Sequence, residues 1–252
     1  MVRTTKRLFC LLFVFFIIAG LFNDAVAQRQ KQMKNIPHYD YKPYHFGFLL
    51  GLNKMDFSLE PVENFHTLDM SIEGHRFDTL YSVLTRPEYG FNIGIISNLK
   101  LGQQVDLRFI PTLSFGDRNI TYEGVDENGR SLVRNQKIES TFLDFPLLLK
   151  YKSVRMTNSR VYVIGGIRYT HDLASAEDKD DPDAEVLARI SRNDFFYELG
   201  AGFSYYFYYF KFTTEIKASF GMKDILRHEN TIYTNSIDGL NSKLIQLSFM
   251  FE

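Results

Sequence analysis

Read backward from its last residues, the chain alternates strictly: Ile245, Leu247, Phe249 and Phe251 share one face, and Leu244, Gln246, Ser248 and Met250 the other. A period of two is that of a β-strand, whose successive side chains point to opposite faces. The period returns where Phe46, Phe48, Leu50 and Leu52 oppose His45, Gly47, Gly51 and Asn53. Six more segments lie between. Phe91, Ile93, Ile95 and Leu99 oppose Gly90, Asn92, Gly94 and Asn98; Leu107, Phe109 and Leu113 oppose Asp106, Arg108, Thr112 and Ser114. Leu143 to Tyr151 and Val161 to Tyr169 repeat the pattern against Asp144, Lys150, Arg168 and Thr170. Phe195 to Tyr205 alternates against Glu198, Gly200, Gly202 and Ser204, and Phe210 to Phe220 against Lys211, Glu215 and Lys217. An even number of strands is what a single-chain outer-membrane barrel takes, and pairing the first with the last removes both free edges. The predicted fold class is all-β: an eight-stranded antiparallel transmembrane β-barrel of the outer-membrane type.

The connections alternate in length. Lys100 to Gln104, Lys152 to Ser159 and the corner around Phe207 are short; Lys54 to Tyr89, Gly116 to Lys137, Asp172 to Arg192 and Met222 to Asn241 are long. Short turns belong to the periplasm and long loops to the outside. The expected location is therefore the outer membrane, with both termini periplasmic, the long loops at the cell surface and lipid as a partner. The run Tyr205 to Phe210 falls on a periplasmic turn, where ring and hydroxyl suit the lipid–water boundary. Composition agrees: Phe and Tyr are abundant, yet the mean hydropathy is −0.18, which fits neither a bundle of membrane helices nor an unusually apolar soluble core. A barrel hides its hydrophobicity in alternation.

An eight-stranded barrel is just wide enough for its own side chains to fill. The predicted lumen residues Asp106, Arg108, Asp144, Lys150, Arg168, Glu198, Lys211, Glu215 and Lys217 carry both signs of charge. In a low dielectric such groups must pair. A plugging ion-pair network is the expectation, with no channel, no cofactor and no small-molecule substrate. Surface enzymes on barrels keep catalytic groups at the outer rim, which singles out His171-Asp172, Asp224 and His228-Glu229; no second partner is fixed by their spacing, so they read as solvated loop ends. The acidic run Glu177 to Glu185 lacks the glycine and terminal glutamate of a calcium loop and reads as solvated too. Asn119-Ile120-Thr121 is a bare sequon match. The near-neutral balance of charge gives no hint of nucleic-acid binding.

Arg3, Lys6 and Arg7, the apolar stretch Leu8 to Gly20 and the small residues Ala25-Val26-Ala27 read as a signal peptide over residues 1–27. The stretch is too short for a spanning helix of about 20 residues. Cys10, the only cysteine, lies inside it, so no disulfide, thiol site or lipoprotein junction is expected beyond it. Residues 28–44 show no alternation and carry Arg29, Lys31, Lys34 and Lys42, which reads as a periplasmic arm ahead of a barrel over 45–252. Two roles stay open for it: a passive leader into the first strand, or a docking segment using Pro37, Tyr39, Asp40, Lys42 and Pro43.

Several segments resemble a known family. Asn35-Ile36-Pro37-His38-Tyr39-Asp40, Lys42-Pro43, His45-Phe46-Gly47-Phe48 and Met55-Asp56-Phe57 are similar to the start of the PorT family, accessory proteins of the Bacteroidota type IX secretion system. Gly90 to Ile95, Ser114-Phe115-Gly116, Glu139 to Tyr151, Tyr162 to Gly166, Glu198 to Gly202 and Ser248 to Glu252 continue the likeness over nearly the whole chain after Ala27. The Phe-Pro-Leu-Leu-Leu-Lys-Tyr strand and the glycine-rich strands specify fold more than role, and the Pro-x-Tyr-Asp-x-Lys-Pro-x-His-Phe-Gly-Phe arm is the more particular marker. The resemblance implies a non-enzymatic part in exporting cargo with C-terminal sorting domains, contact with other secretion components and, in gliding species, a link to motility. It carries over no catalytic residue. The rival readings are a generic small barrel that anchors the envelope or binds a ligand, and a rim enzyme.

Overall fold

Strand β1 (Tyr44–Pro61) pairs on one side with β2 (Thr79–Lys100) and on the other with β11 (Ile237–Phe251), so the first strand joins the last and the sheet closes. From β2 the ring continues through β3 (Val105–Phe109) with β4 (Thr112–Val125), β5 (Ser131–Lys152), β6 (Ser159–Asp172), β8 (Asn193–Tyr206) and β9 (Lys211–Gly221) back to β11, every pairing antiparallel. Because β3 and β4 are one strand interrupted at Ile110-Pro111, the ring has eight staves. A two-stranded piece, β7 (Arg189–Ile190) with β10 (Leu226–Arg227), and a single helical turn α1 (Ile232–Asn235) lie in the long connections. The computed structural model describes residues 33–63, 79–125, 128–174, 189–227 and 232–252. The signal segment, Gln28 to Gln32, the acidic run Glu177 to Glu185 and His228-Glu229 lie outside the described residues. Asn35–Glu252 forms one compact unit.

The outer wall is banded. Along β8, Phe195 and Tyr197 are followed by Leu199 and Ala201 and then by Phe203 and Tyr205, all exposed. β9 and β11 repeat the order, with Phe212 and Phe249 below Ile216 and Leu247, and Phe220 above. Rings stack across the ladders at both levels: Phe48 on Phe251 and Phe212 on Phe249 at one, Phe91 on Phe115 and Tyr197 on Phe220 at the other. The stretch from Phe195 to Tyr205, at roughly 3.3 Å per residue and an inclination of about 40°, rises about 25 Å, the height of a lipid-facing apolar band between aromatic girdles.

The gap at Ile110-Pro111 has a local cause. Pro111 accepts from Ile95 N at 3.1 Å but has no N–H to return, and Pro146 of β5 lies across from Ile110 in the ladder and also lacks one. The Ile110 carbonyl is met instead by the Thr112 hydroxyl, which donates to it at 2.8 Å. An unpaired carbonyl at this depth would cost several kcal/mol or about that.

The strands run longer than the alternation predicts. β1 continues to Pro61, β2 begins at Thr79, and most of the expected loop from Gly116 to Lys137 is a β4–β5 hairpin. In these extensions the hydrophobic face inverts. Phe57, Leu80, Val83, Ile120, Tyr122, Ile237 and Leu240 are buried inside the ring, joined there by Ile190, Ile225, Leu226 and Tyr233. Outside stand Asp117, Asn119, Lys137 and Glu139, with Lys137 bridging both carboxylates. Above the apolar band the barrel thus has an apolar core of its own, which among the described residues fills the long-loop end.

Leu247 sits on the outward face midway between the girdles, paired with Leu52 and Ile216. Leu247→Arg is expected to destabilise the protein in bilayers by about 2–4 kcal/mol, read from denaturant titration in lipid vesicles; full tolerance would contradict the lipid-facing assignment.

Candidate functional site: a charged lumen closed by the N-terminal arm

Inward positions of the staves bring the predicted charges together in two clusters. In the first, nearer the long loops, Arg168 Nη1 lies 3.3 Å from Glu198 and its Nε 3.6 Å from Asp144, while Lys217 reaches the other Glu198 oxygen at 3.0 Å. Ser219 donates to Glu198 at 2.7 Å; Ser114 and Thr170 donate to Asp144 at 2.7 and 2.6 Å. The Arg168 guanidinium lies 4.1 Å from the Phe196 ring centre. Arg168 is 2 % exposed and Glu198 fully enclosed, so these partners lie away from bulk solvent. Burying such ions is offset only when every charge is matched.

The second cluster lies toward the short turns. Arg108, fully enclosed, is held by Glu215 at 3.1 Å, Glu252 at 3.3 Å and Asn98 Oδ1 at 3.2 Å. Tyr162 donates to Glu215 at 2.5 Å, and its ring carries the Lys150 ammonium at 3.9 Å. Gly202 makes room for that ring: a Cβ there would stand 2.3 Å from Tyr162 Cζ. Lys152 pairs with Asp106 at 2.5 Å, and Lys211 pairs with Glu252. All nine predicted lumen charges are therefore buried inside the ring, five in this cluster and four in the other.

The stretch from Gly116 to Lys137, expected as a loop, is largely strand and carries a third layer. Arg118 is sandwiched between the rings of Phe57 and Phe142 at 4.6 and 4.8 Å, donates to Ser140, and pairs with Asp172 at 3.4 Å. Asp172 is thus turned inward, away from the rim. Its sequence neighbour His171 faces out and shares Asn193 Oδ1 with the Tyr169 hydroxyl. Asp224 accepts from the Leu226 and Leu240 backbone N–H groups. Asn119 donates to Glu88 at 2.7 Å.

The arm is not a free leader. Residues Asn35 to Lys42 fold back into the short-turn mouth around a 3₁₀ turn, Tyr39–Tyr41. Tyr39 stacks on His45 at 4.0 Å, donates to Glu252 at 2.8 Å and accepts from Lys211 at 3.0 Å. Asp40 meets Arg160 at 2.9 Å and Arg155 at 3.4 Å. Arg155, on the β5–β6 turn, lies 3.7 Å from the Tyr206 ring centre and also donates to the Asn35 and Ile36 carbonyls. Lys100 caps the Asp40 carbonyl at 2.6 Å. Two β-branched residues adopt left-handed backbone here, Ile36 at φ 47° and Thr157 at φ 53°, so the contact between arm and turn holds strain that its hydrogen bonds maintain. Of the candidate docking residues, Tyr39 and Asp40 are spent on the barrel; Pro37, Lys42 and Pro43 are exposed, together with His38 and Tyr41.

Partial burial pushes the Asp40 carboxyl up, but Arg160 and Arg155 outweigh it and hold the group below its ordinary value of 3.8. Burial and the neighbouring Tyr206 push the Tyr39 phenol far up, which keeps it a neutral donor.

The family comparison agrees with this geometry. The model of the outer membrane protein beta-barrel domain matches residues 26–227. The chain belongs to that family. Two solved outer-membrane barrels are also similar. OprG from Pseudomonas aeruginosa has 12% identity, with 81% of this chain and 92% of that one covered at a TM-score of 0.39. The N-terminal β-barrel domain of Pseudomonas aeruginosa OprF has 15% identity, with 80% and 96% covered at 0.29. No curated protein matches the chain. An outer-membrane barrel whose interior is filled by its own charges has its free surfaces at the two ends and the lipid wall.

Two outcomes are expected. Glu198→Ala leaves Arg168 and Lys217 facing one another in a dry interior and should cost about 3–5 kcal/mol in denaturant titration. Because the folded Asp40 carboxyl titrates below its unfolded value, its hold on the arm is complete above about pH 4 and lost as pH falls through the folded value. A spin label at His38→Cys should be immobile at neutral pH and loosen in acid, whereas in Asp40→Asn it should be loose throughout.

Proposed function

We propose that this outer-membrane barrel is a non-enzymatic accessory component of the type IX secretion system, of the PorT kind, needed for export of cargo with C-terminal sorting domains. Its short-turn end and termini face the periplasm, its long loops the cell surface, and it works by contact with other secretion components. The observation that carries the contact role is the filled interior: among the described residues, charge layers, an apolar cap at one end and the folded arm at the other occupy the ring. The secretion assignment draws on the arm motif, whose residues divide by role. Tyr39 and Asp40 anchor the arm, and Pro37, His38, Tyr41 and Lys42 are displayed, with Tyr41 79% exposed. The more particular marker of the resemblance, held in a strained pose against the barrel, suits recognition by a fixed partner.

A generic anchoring barrel is the second reading, favoured by the breadth of the family and by the purely structural use of Tyr39 and Asp40. Deletion of the gene separates the two. Loss of sorting-domain cargo from the culture medium, restored by the native gene but not by a Tyr41→Ala/Lys42→Glu version present at normal outer-membrane levels, is the expected result. Undiminished export in the deletion strain would overturn the secretion reading and leave the anchoring one.

A further inference from the structure

Beneath the arm, a small enclosed space is left between Tyr39, His45, Lys150, Lys211 and Tyr206, with room for about one water-sized guest. Its walls carry more positive charge than they neutralise. Lys152 is matched by Asp106, Arg160 by Asp40 and Lys211 by Glu252, but Lys150 makes no hydrogen bond or ion pair among the described residues and rests only on the Tyr162 ring. Lys150 is 3 % exposed and lines the space. An isolated buried ammonium costs many kcal/mol unless a counter-charge or hydrogen bonds meet it.

We propose that this space is a binding site for one small inorganic anion of halide size, held by the Lys150 ammonium and roofed by Tyr39. The anion supplies the counter-charge that Lys150 lacks, since Asp40, Asp106, Glu215 and Glu252 are paired with Arg108, Lys152, Arg155, Arg160 and Lys211. Since the arm forms the roof, anion occupancy and arm closure favour one another.

The test uses bromide as the probe. Crystals of the unaltered chain grown without halide and soaked in sodium bromide should show an anomalous bromine peak in contact with Lys150 Nζ. In solution the thermal midpoint should be higher in sodium bromide than in sodium gluconate at equal ionic strength. Lys150→Met should lose that difference and, in gluconate, unfold at a higher temperature than the unaltered chain. A clean soak with no peak beneath Tyr39 would overturn the proposal whatever the variant does, and would mean that the space holds water beside a neutral Lys150.

Discussion

Backbone pairing in the absence of water is the constraint on which everything else here depends. In hydrocarbon each N–H and C=O must find a protein partner, so the sheet closes between β1 and β11, and ring closure with eight staves sets a bore that side chains fill. That bore then dictates the chemistry inside it. Polar groups that cannot face lipid turn inward, and at that distance from solvent they pair with one another. Where the ladder itself fails, at Pro111 and Pro146, a hydroxyl from Thr112 completes the pairing, so the same rule operates down to a single carbonyl.

The charge clusters act as structural cement, with most members matched by an opposite charge inside the ring. Arg168 and Lys217 share Glu198, Arg108 bridges Glu215 and Glu252, and each carboxylate is further held by hydroxyls or an amide. Such an interior tolerates little change of charge, because removal of one member strands another. It also ties distant parts of the chain together: Arg108 of β3 meets Glu252 after β11, and Asp40 of the arm meets Arg155 and Arg160 at the β5–β6 turn. Arm, last strand and turn therefore form one cooperative lock.

Much of this was legible in the sequence. Strand alternation located every stave, because in a lipid-bounded barrel the apolar and polar faces differ so sharply, and the charged residues read as inward are buried in the structure. Short turns were equally plain. What escaped was the inversion of the hydrophobic face beyond the membrane: the period stays at two through Met55 and Phe57, but the apolar residues change sides, and a reader following one face sees the pattern dissolve into loop. Arg118 disappeared with it. The arm escaped for a different reason. Its anchoring partners, Arg155, Arg160, Tyr206 and Glu252, are far away in sequence, and nothing local to Tyr39 and Asp40 announces them.

That inversion also fixes how deep the protein rides. On β1, Leu52 faces lipid and Lys54 and Asp56 come next on the same face, while Met55 and Phe57 turn to the interior. Sinking by a residue pair would drag ammonium and carboxylate groups into oil, and rising by one would lift Leu52 and its neighbours into water; both displacements are costly. The waterline is written into the strands themselves. The β4–β5 hairpin, rising from Asp117 to Val125 on a paired and cored base, is accordingly a mast of fixed elevation, and whatever it meets it meets at a set height above the lipid headgroups.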